Sequence, residues 1–167
     1  MWWPAIGGLI IGIGGLIEPR ALGVGYDVID QLLTGHATAG LIVGILVVKS
    51  LIWGLSLGSG TSGGTLAPIL IVSSCFGALS GQLLAQHAPG LGVAPEAFAL
   101  VAMAATFGAA ARAPFAAIIF LFELTRDYNA ILPLMLATVI ADLLARRLVQ
   151  HSIMTEKLAR RGVMVPS

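Results

Sequence analysis

A glycine-rich run at Gly58–Pro68 has the residue types and the position to bind an anion. It reads Gly-Ser-Gly-Thr-Ser-Gly-Gly-Thr-Leu-Ala-Pro, in a stretch with no charged residue between Lys49 and Glu96. Proline suits the first turn of a helix, so a helix is predicted to start within the run. The first four N–H groups of a helix lack intrahelical acceptors, and its dipole places about half a positive charge there. The run therefore predicts an anion site built from backbone amides.

Glycine supplies the conformational freedom that such a site needs. Gly58, Gly60, Gly63 and Gly64 let the backbone bend and let a ligand approach it closely. At membrane depth, unpaired backbone is tolerated only where it is buried in protein or lines a watery cavity, so the break would belong to a permeation path. The alternative is a flexible loop outside the membrane, which glycine and serine clusters usually form. The apolar flanks favour the permeation path.

The composition is that of an integral membrane protein. Of the 167 residues, 57% are hydrophobic and 10% are charged, and the mean hydropathy is +0.97. An ordinary soluble domain has about 25% charged residues. Residues 1–17 and 50–95 contain no Asp, Glu, Lys or Arg, which leaves room for several spans of about 20 residues. Five of the nine basic residues crowd the C-terminal end, which predicts a multi-pass protein of the cell membrane with a cytoplasmic C-terminus.

Signatures of enzymes and metal sites are absent from the sequence. There is no Gly-x-Ser-x-Gly elbow, no phosphate loop with its lysine, and no His-Glu-x-x-His or paired-cysteine cluster. The single cysteine, Cys75, allows no disulfide within the chain, and His36, His87 and His151 lack metal-ligand spacing. We expect a protein that is not an enzyme, with no cofactor, no metal and no nucleic-acid partner.

The sequence predicts an all-α fold, a multi-pass membrane bundle of tilted and broken helices. The predicted apolar helices cover, in chain order, 3–17, 39–57, 66–85, 95–111, 114–123 and 130–148. A short amphipathic helix at the membrane interface is predicted within 23–35. Uneven helices interrupted by proline and glycine are typical of transporters. Close helix packing is expected at three glycine pairs: Gly8/Gly12, Gly40/Gly44 and Gly77/Gly81.

Four ordered motifs resemble a known family. They are Gly58–Pro68, Arg112-Ala-Pro leading to Phe122-Glu-Leu-Thr, Tyr128-Asn-Ala-Ile-Leu-Pro, and Ser-Ile-Met-Thr-Glu-Lys-Leu-Ala-Arg-Arg-Gly at 152–162. With them the chain resembles the ClC chloride channels and chloride/proton antiporters, over the C-terminal half of that membrane domain. The resemblance implies a fold of two inverted halves, of which this chain supplies one. It also implies a homodimer in which each protomer holds its own anion pathway.

The resemblance sets the expected boundaries and partners. Residues 1–150 would form the C-terminal half of the transmembrane domain, and residues 151–167 the start of the final helix and a cytoplasmic basic tail. The family's gating glutamate and its other serine-bearing loop belong to the first half of the domain. A missing N-terminal half is therefore an expected partner, beside chloride or another small anion and the lipid bilayer.

The resemblance also implies site residues. The family's Gly-x-Phe-x-Pro element, whose backbone amides meet the central anion, matches Gly64–Pro68, and Thr65 and Leu66 are the leading donor candidates. Leu66 replaces the usual phenylalanine, which keeps the backbone donor and reshapes the pore wall. Met154 occupies the place of a tyrosine that often contacts the anion, and methionine cannot donate a hydrogen bond. The remaining pore or structural positions are Gly58, Ser59, Gly60, Gly63 and Pro68.

Four charged residues near or within the predicted helices have competing interpretations. Glu123 is a candidate for proton movement or a solvated or paired carboxylate at a helix end. Lys49 either attracts anions toward the pore or snorkels to an interface. Arg112 either bonds carbonyls freed at a helix break or steers anions. Asp142 is expected to pair with Arg146 on the helix surface rather than to form a transport site.

The leading hypothesis is transmembrane transport of chloride or a similar small anion, as a channel or a proton-coupled antiporter. The alternative is a truncated or half-subunit fragment that acts only in assembly and does not transport alone. A carrier of cations or organic solutes with a similar broken helix would need carboxylates near Gly58–Pro68, and the sequence has none there.

Overall fold

The computed structural model describes residues 2–59, 64–149, 152, 153 and 155. Over these residues it contains seven α-helices, three short 3₁₀ turns and no strand. The helices are α1 (Trp3–Ile17), α2 (Tyr26–Leu33), α3 (Ala39–Gly58), α4 (Leu66–His87), α5 (Pro95–Ala111), α6 (Pro114–Thr125) and α7 (Ile131–Leu148). The 3₁₀ turns are Pro19–Ala21, Pro89–Leu91 and Tyr128–Ala130. The predicted all-α fold is confirmed.

Proline and glycine set several helix boundaries, which is why the sequence predicted them closely. α5 and α6 both begin at a proline, whose missing N–H is not needed in a first turn. α2 follows Gly25, which has a φ of +70°, a left-handed conformation that glycine adopts without strain. α4 extends past the predicted Ala85 to His87.

Three helical segments of the described chain are long and apolar enough to cross a membrane. They are Ala39–Gly58, Leu66–His87 and Tyr128–Leu148, of 20, 22 and 21 residues. At about 1.5 Å of rise per residue, each spans about 30 Å, the thickness of the hydrocarbon core. Large apolar side chains remain exposed, among them Leu132 and Leu136 of α7 at 77% and 68%. An apolar surface of this kind suits contact with lipid or with another protein.

The chain forms two compact units, Met1–Ala99 and Leu100–Ser167. In the first unit, α3 contacts both α1 and α4, and α2 contacts α4. Its core contains apolar side chains of α2, α3 and α4: Val28, Ile29, Leu32, Ile42, Ile45, Ile69, Leu70, Ile71, Cys75 and Ala78. The amphipathic helix predicted within 23–35 is therefore present as α2, and its apolar face is buried against protein.

Glycines allow α1 to lie close to α3, but they are not the glycines that the pair motif selected. A Cβ atom built on Gly14 would collide with Ile52 of α3, and one built on Gly7 would collide with Ser59, the C-cap of α3. On Gly8, Gly12 and Gly40, the same atom would meet no described atom within 4 Å. Among the described residues these three glycines make no close contact with a neighbouring helix, because the spacing of a pair does not say which face of a helix meets a neighbour. Gly81, which the pair motif also selected, does lie close to the backbone of Pro95.

We expect Gly81→Ala to destabilise the protein and Gly12→Ala not to. A Cβ on Gly81 would lie 2.7 Å from the Cα of Pro95, at the close approach of α4 and the start of α5. A backbone atom cannot move aside cheaply, so this overpacking should cost about 1–3 kcal/mol. Gly12→Ala gains about 1 kcal/mol of helix propensity without a collision. Thermal unfolding in detergent compares the two variants, and equal transition temperatures would contradict the expectation.

The second unit contains α6, α7 and most of α5. α6 contacts α7, and Ala117, Leu121, Leu134 and Thr138 are fully buried. α5 ends at Ala111, and the next residue, at the predicted break before Pro114, adopts a left-handed φ of +54°. The predicted helix break is therefore confirmed.

Candidate anion site

The segment between α3 and α4 contains the predicted site. α3 ends at Gly58 with Ser59 as its C-cap, and Thr65 is the N-cap of α4. Gly60 and Gly63 lie outside the described residues. α3 and α4 contact each other, so the predicted site lies between two packed apolar helices. The helix start predicted inside Gly58–Pro68 is confirmed.

The start of α4 offers backbone donors without an intrahelical acceptor. The first main-chain bond of the helix joins N of Ile69 to O of Thr65 at 3.2 Å. The amides of Thr65, Leu66 and Ala67 come before this bond and have no acceptor within the helix. Pro68, the next residue, has no N–H to donate. Within the described residues, no protein acceptor contacts these amides, and the Thr65 side chain does not cap the helix. Anion contact at Thr65 and Leu66 stays a prediction, and the geometry adds Ala67.

No carboxylate in the surrounding sequence offsets the positive end of α4. The first turn of the helix has no acidic residue. The sequence has no Asp or Glu between Asp30 and Glu96. The 22 residues of α4 align their peptide dipoles and place about half a positive charge at the helix start. This end of α4 therefore favours a negatively charged ligand.

The amide end of α4 is accessible. Gly64 is exposed, Leu66 is 39% exposed, and Thr65, Ala67 and Pro68 are half-buried. A Cβ atom built on Gly64 would meet no described atom within 4 Å. A small ligand can therefore reach the backbone without displacing a side chain of the described residues.

Ser59 supports the turn from the α3 side. It is 9% exposed, its amide donates to O of Leu55 at 3.0 Å, and its hydroxyl donates to O of Ser56 at 2.7 Å. The Cα of Gly7 in α1 lies close to its side chain. Ser59 therefore anchors the end of α3, and its role in a pore stays a prediction.

Lys49 follows neither of the interpretations that the sequence allowed. It is 6% exposed in the middle of α3, and its Nζ donates to the carbonyl oxygens of Ala21 and Gly23 at 2.7 Å each. The amino group therefore neither snorkels to an interface nor lies free to attract anions. No local sequence signal identifies this contact, because the two acceptors lie 28 and 26 residues upstream.

Arg112 bonds a carbonyl, as its structural interpretation predicted. Its guanidinium donates to O of Val149, the residue that caps the C-terminal end of α7. Carbonyls at a helix end lack intrahelical donors, and a cation there also interacts favourably with the helix dipole. Arg112 therefore stabilises the C-terminal end of α7, within the second unit.

The two acidic residues of α6 and α7 differ in their surroundings. Oδ2 of Asp142 accepts from Nε of Arg146 at 2.8 Å, which confirms the predicted pair. Asp142 is only 7% exposed, so its carboxylate is buried rather than on the helix surface. Glu123 is exposed and forms no ion pair among the described residues, which fits a solvated carboxylate. A role of Glu123 in proton movement stays a prediction. Met154, the other candidate site residue near the C-terminal end, lies outside the described residues.

Comparison with known proteins identifies the family of this chain. Residues 1–146 match the family described as voltage gated chloride channel. Relatives named H(+)/Cl(-) exchange transporter ClcA, from Citrobacter koseri, Salmonella arizonae and Salmonella newport, are each 34% identical over 161 residues. The alignments cover 94% of this chain and 34% of each relative, so the chain spans about a third of their length. Because the family match covers most of the sequence, this chain belongs to the voltage-gated chloride channel family.

Proposed function

We propose that this chain binds chloride, or a similar small anion, at the start of α4 as part of a membrane transporter. The observation that carries the proposal is the group of backbone amides at Thr65, Leu66 and Ala67, which have no acceptor among the described residues. They lie where two apolar helices meet, in a part of the sequence without carboxylates. The relatives named as H(+)/Cl(-) exchange transporters support chloride as the anion.

Backbone amides suit an ion that must be both bound and released. An anion that enters the turn loses part of its water, and the N–H groups of α4 replace it with charge-assisted hydrogen bonds. The helix dipole adds a partial positive charge rather than a full one. Lys49 is the only lysine or arginine between Arg20 and Arg112, and its amino group donates to carbonyl oxygens of Ala21 and Gly23. A site without a full cation binds weakly enough to allow turnover, which transport requires.

A second polypeptide segment completes the pathway in this proposal. The chain spans about a third of the length of its curated relatives. In the proposal, residues 1–150 act as the C-terminal half of the membrane domain. The other half supplies the remainder of the pathway, and two complete protomers form a homodimer in the cell membrane. The C-terminal end, rich in arginine and lysine, is cytoplasmic.

Chloride flux from liposomes tests the proposal. The purified chain is reconstituted alone and with a co-expressed N-terminal half, and chloride release down a gradient is followed with an electrode. We expect release above protein-free liposomes when both halves are present. An imposed pH gradient that drives chloride uphill identifies an antiporter, and its failure to do so identifies a channel. No release from a co-purified pair would contradict transport and favour the assembly-only alternative.

A further inference from the structure

The segment between α1 and α2, residues 18–25, is held by a lysine from the middle of α3. The Nζ atom of Lys49 donates to O of Ala21 and O of Gly23, both at 2.7 Å, and Lys49 and Ala21 are both buried. Gly23 has a φ of +77°, so the segment turns through a left-handed conformation there. A buried carbonyl that loses its donor is left with an unsatisfied hydrogen bond, which destabilises the fold. Lys49 therefore holds the backbone of residues 18–25 in this conformation.

The same segment contacts α4. Gly25 has a φ of +70°, and a Cβ atom built on it would lie 2.6 Å from Cδ1 of Ile71. Ile71 is 1% exposed and lies in the second turn of α4, after Leu66 at its start. The segment is thus bonded to α3 through Lys49 and packed against the beginning of α4 through Gly25.

Two further contacts make the segment rigid. A Cβ atom on Gly15 of α1 would collide with the side chain of Leu22, so α1 lies directly against it. α2, which Gly25 precedes, buries Val28 and Ile29 and contacts α4. Tight packing transmits a displacement rather than absorbing it. A shift of the segment at Ala21–Gly25 should therefore move the first turns of α4.

We propose that Lys49 is a positioning residue for the anion site at the start of α4. This inference rests on the proposed function, because it assigns Lys49 a role in the site at Thr65, Leu66 and Ala67. Lys49 does not contact the anion. It fixes the 18–25 segment, and that segment fixes the second turn of α4, so that the amides of Thr65, Leu66 and Ala67 are held in one place before the anion arrives. Preorganisation of this kind strengthens binding without a new ligand contact.

Hydrogen exchange and chloride titration on the full chain in lipid nanodiscs test this role. Lys49→Met keeps the aliphatic stem and removes the donors, and Lys49→Arg restores charged donors. Trp53→Phe is the matched control on the same helix, because the indole N–H of Trp53 is buried without a partner in the described residues. We expect Lys49→Met to speed exchange in both 18–26 and 66–75 and to weaken chloride binding about tenfold, which corresponds to about 1.4 kcal/mol. Lys49→Arg should recover both properties, and Trp53→Phe should change neither.

Two outcomes would overturn the proposal. One is faster exchange confined to 18–26, with exchange in 66–75 and chloride affinity unchanged. The other comes from Gly25→Ala, which disturbs the contact with Ile71 while leaving Lys49 intact, and which keeps the test decisive if Lys49→Met does not fold. We expect Gly25→Ala to weaken chloride binding and to speed exchange in 66–75, and normal values would overturn the proposal. If the unmodified chain binds no chloride, the proposed function fails, while the exchange data still decide whether Lys49 positions α4.

Discussion

Thr65→Asp is expected to abolish measurable chloride binding while making the folded protein more stable. An aspartate at an N-cap accepts from the N–H of the second or third helical residue, which here is Ala67 because Pro68 has no N–H, and it complements the helix dipole. Because the Thr65 side chain forms no cap bond, the change should add about 0.5–2 kcal/mol of stability. The same carboxylate occupies the donors and repels an arriving anion by several kcal/mol, so affinity should fall about a hundredfold or more. Chloride titration calorimetry and thermal unfolding on one preparation measure both effects.

The opposite signs of the two effects make this variant informative. A substitution that merely damages the fold lowers both stability and affinity. Thr65→Asn is the matched control, because asparagine also caps a helix but carries no charge. It should add similar stability with a much smaller loss of chloride binding. Undiminished chloride binding in Thr65→Asp would contradict an anion site at the start of α4, whatever its effect on unfolding.

Replacing the amide of Leu66 with an ester should weaken chloride binding about tenfold to a hundredfold. The ester removes one N–H donor and keeps the side chain, and a hydrogen bond to a charged group is worth about 1.5–3 kcal/mol. The helix loses little, since this N–H lies in the first turn and has no intrahelical acceptor. Chloride titration of the protein carrying the ester, introduced by α-hydroxy acid incorporation, measures the change.

Two controls separate the backbone of Leu66 from its side chain. Leu66→Ala keeps the amide and should retain most of the affinity, although it alters the wall of the site. An ester at Val72, within the body of α4, removes an N–H that does not face the turn and should leave affinity near normal. If Leu66→Ala weakens binding and the Leu66 ester does not, the site depends on the side chain, and the amide mechanism is wrong.

The start of α4 shows which part of the site was predictable. Glycine, the N-terminal proline and the absence of charge are local properties, so the sequence indicated a helix start within Gly58–Pro68. Thr65 and Leu66 came instead from the resemblance to the ClC family, and their contact with an anion stays a prediction. Backbone amides are present at almost every residue, and only the position of the helix end decides which remain unbonded. The observed first turn, with Pro68 at its third position, adds Ala67 to the candidate donors.

Local signals also determined the helices themselves, the membrane class and the break before Pro114, because caps, prolines and apolar runs act within a few residues. Only the tertiary structure decided which faces meet. Gly7 and Gly14, rather than Gly8 and Gly12, make the close contacts of α1. Lys49 donates to carbonyl oxygens 26 and 28 residues upstream. The physical reason is that helical periodicity specifies a face, whereas the partner of that face depends on how separate helices cross and on which buried polar groups must be satisfied.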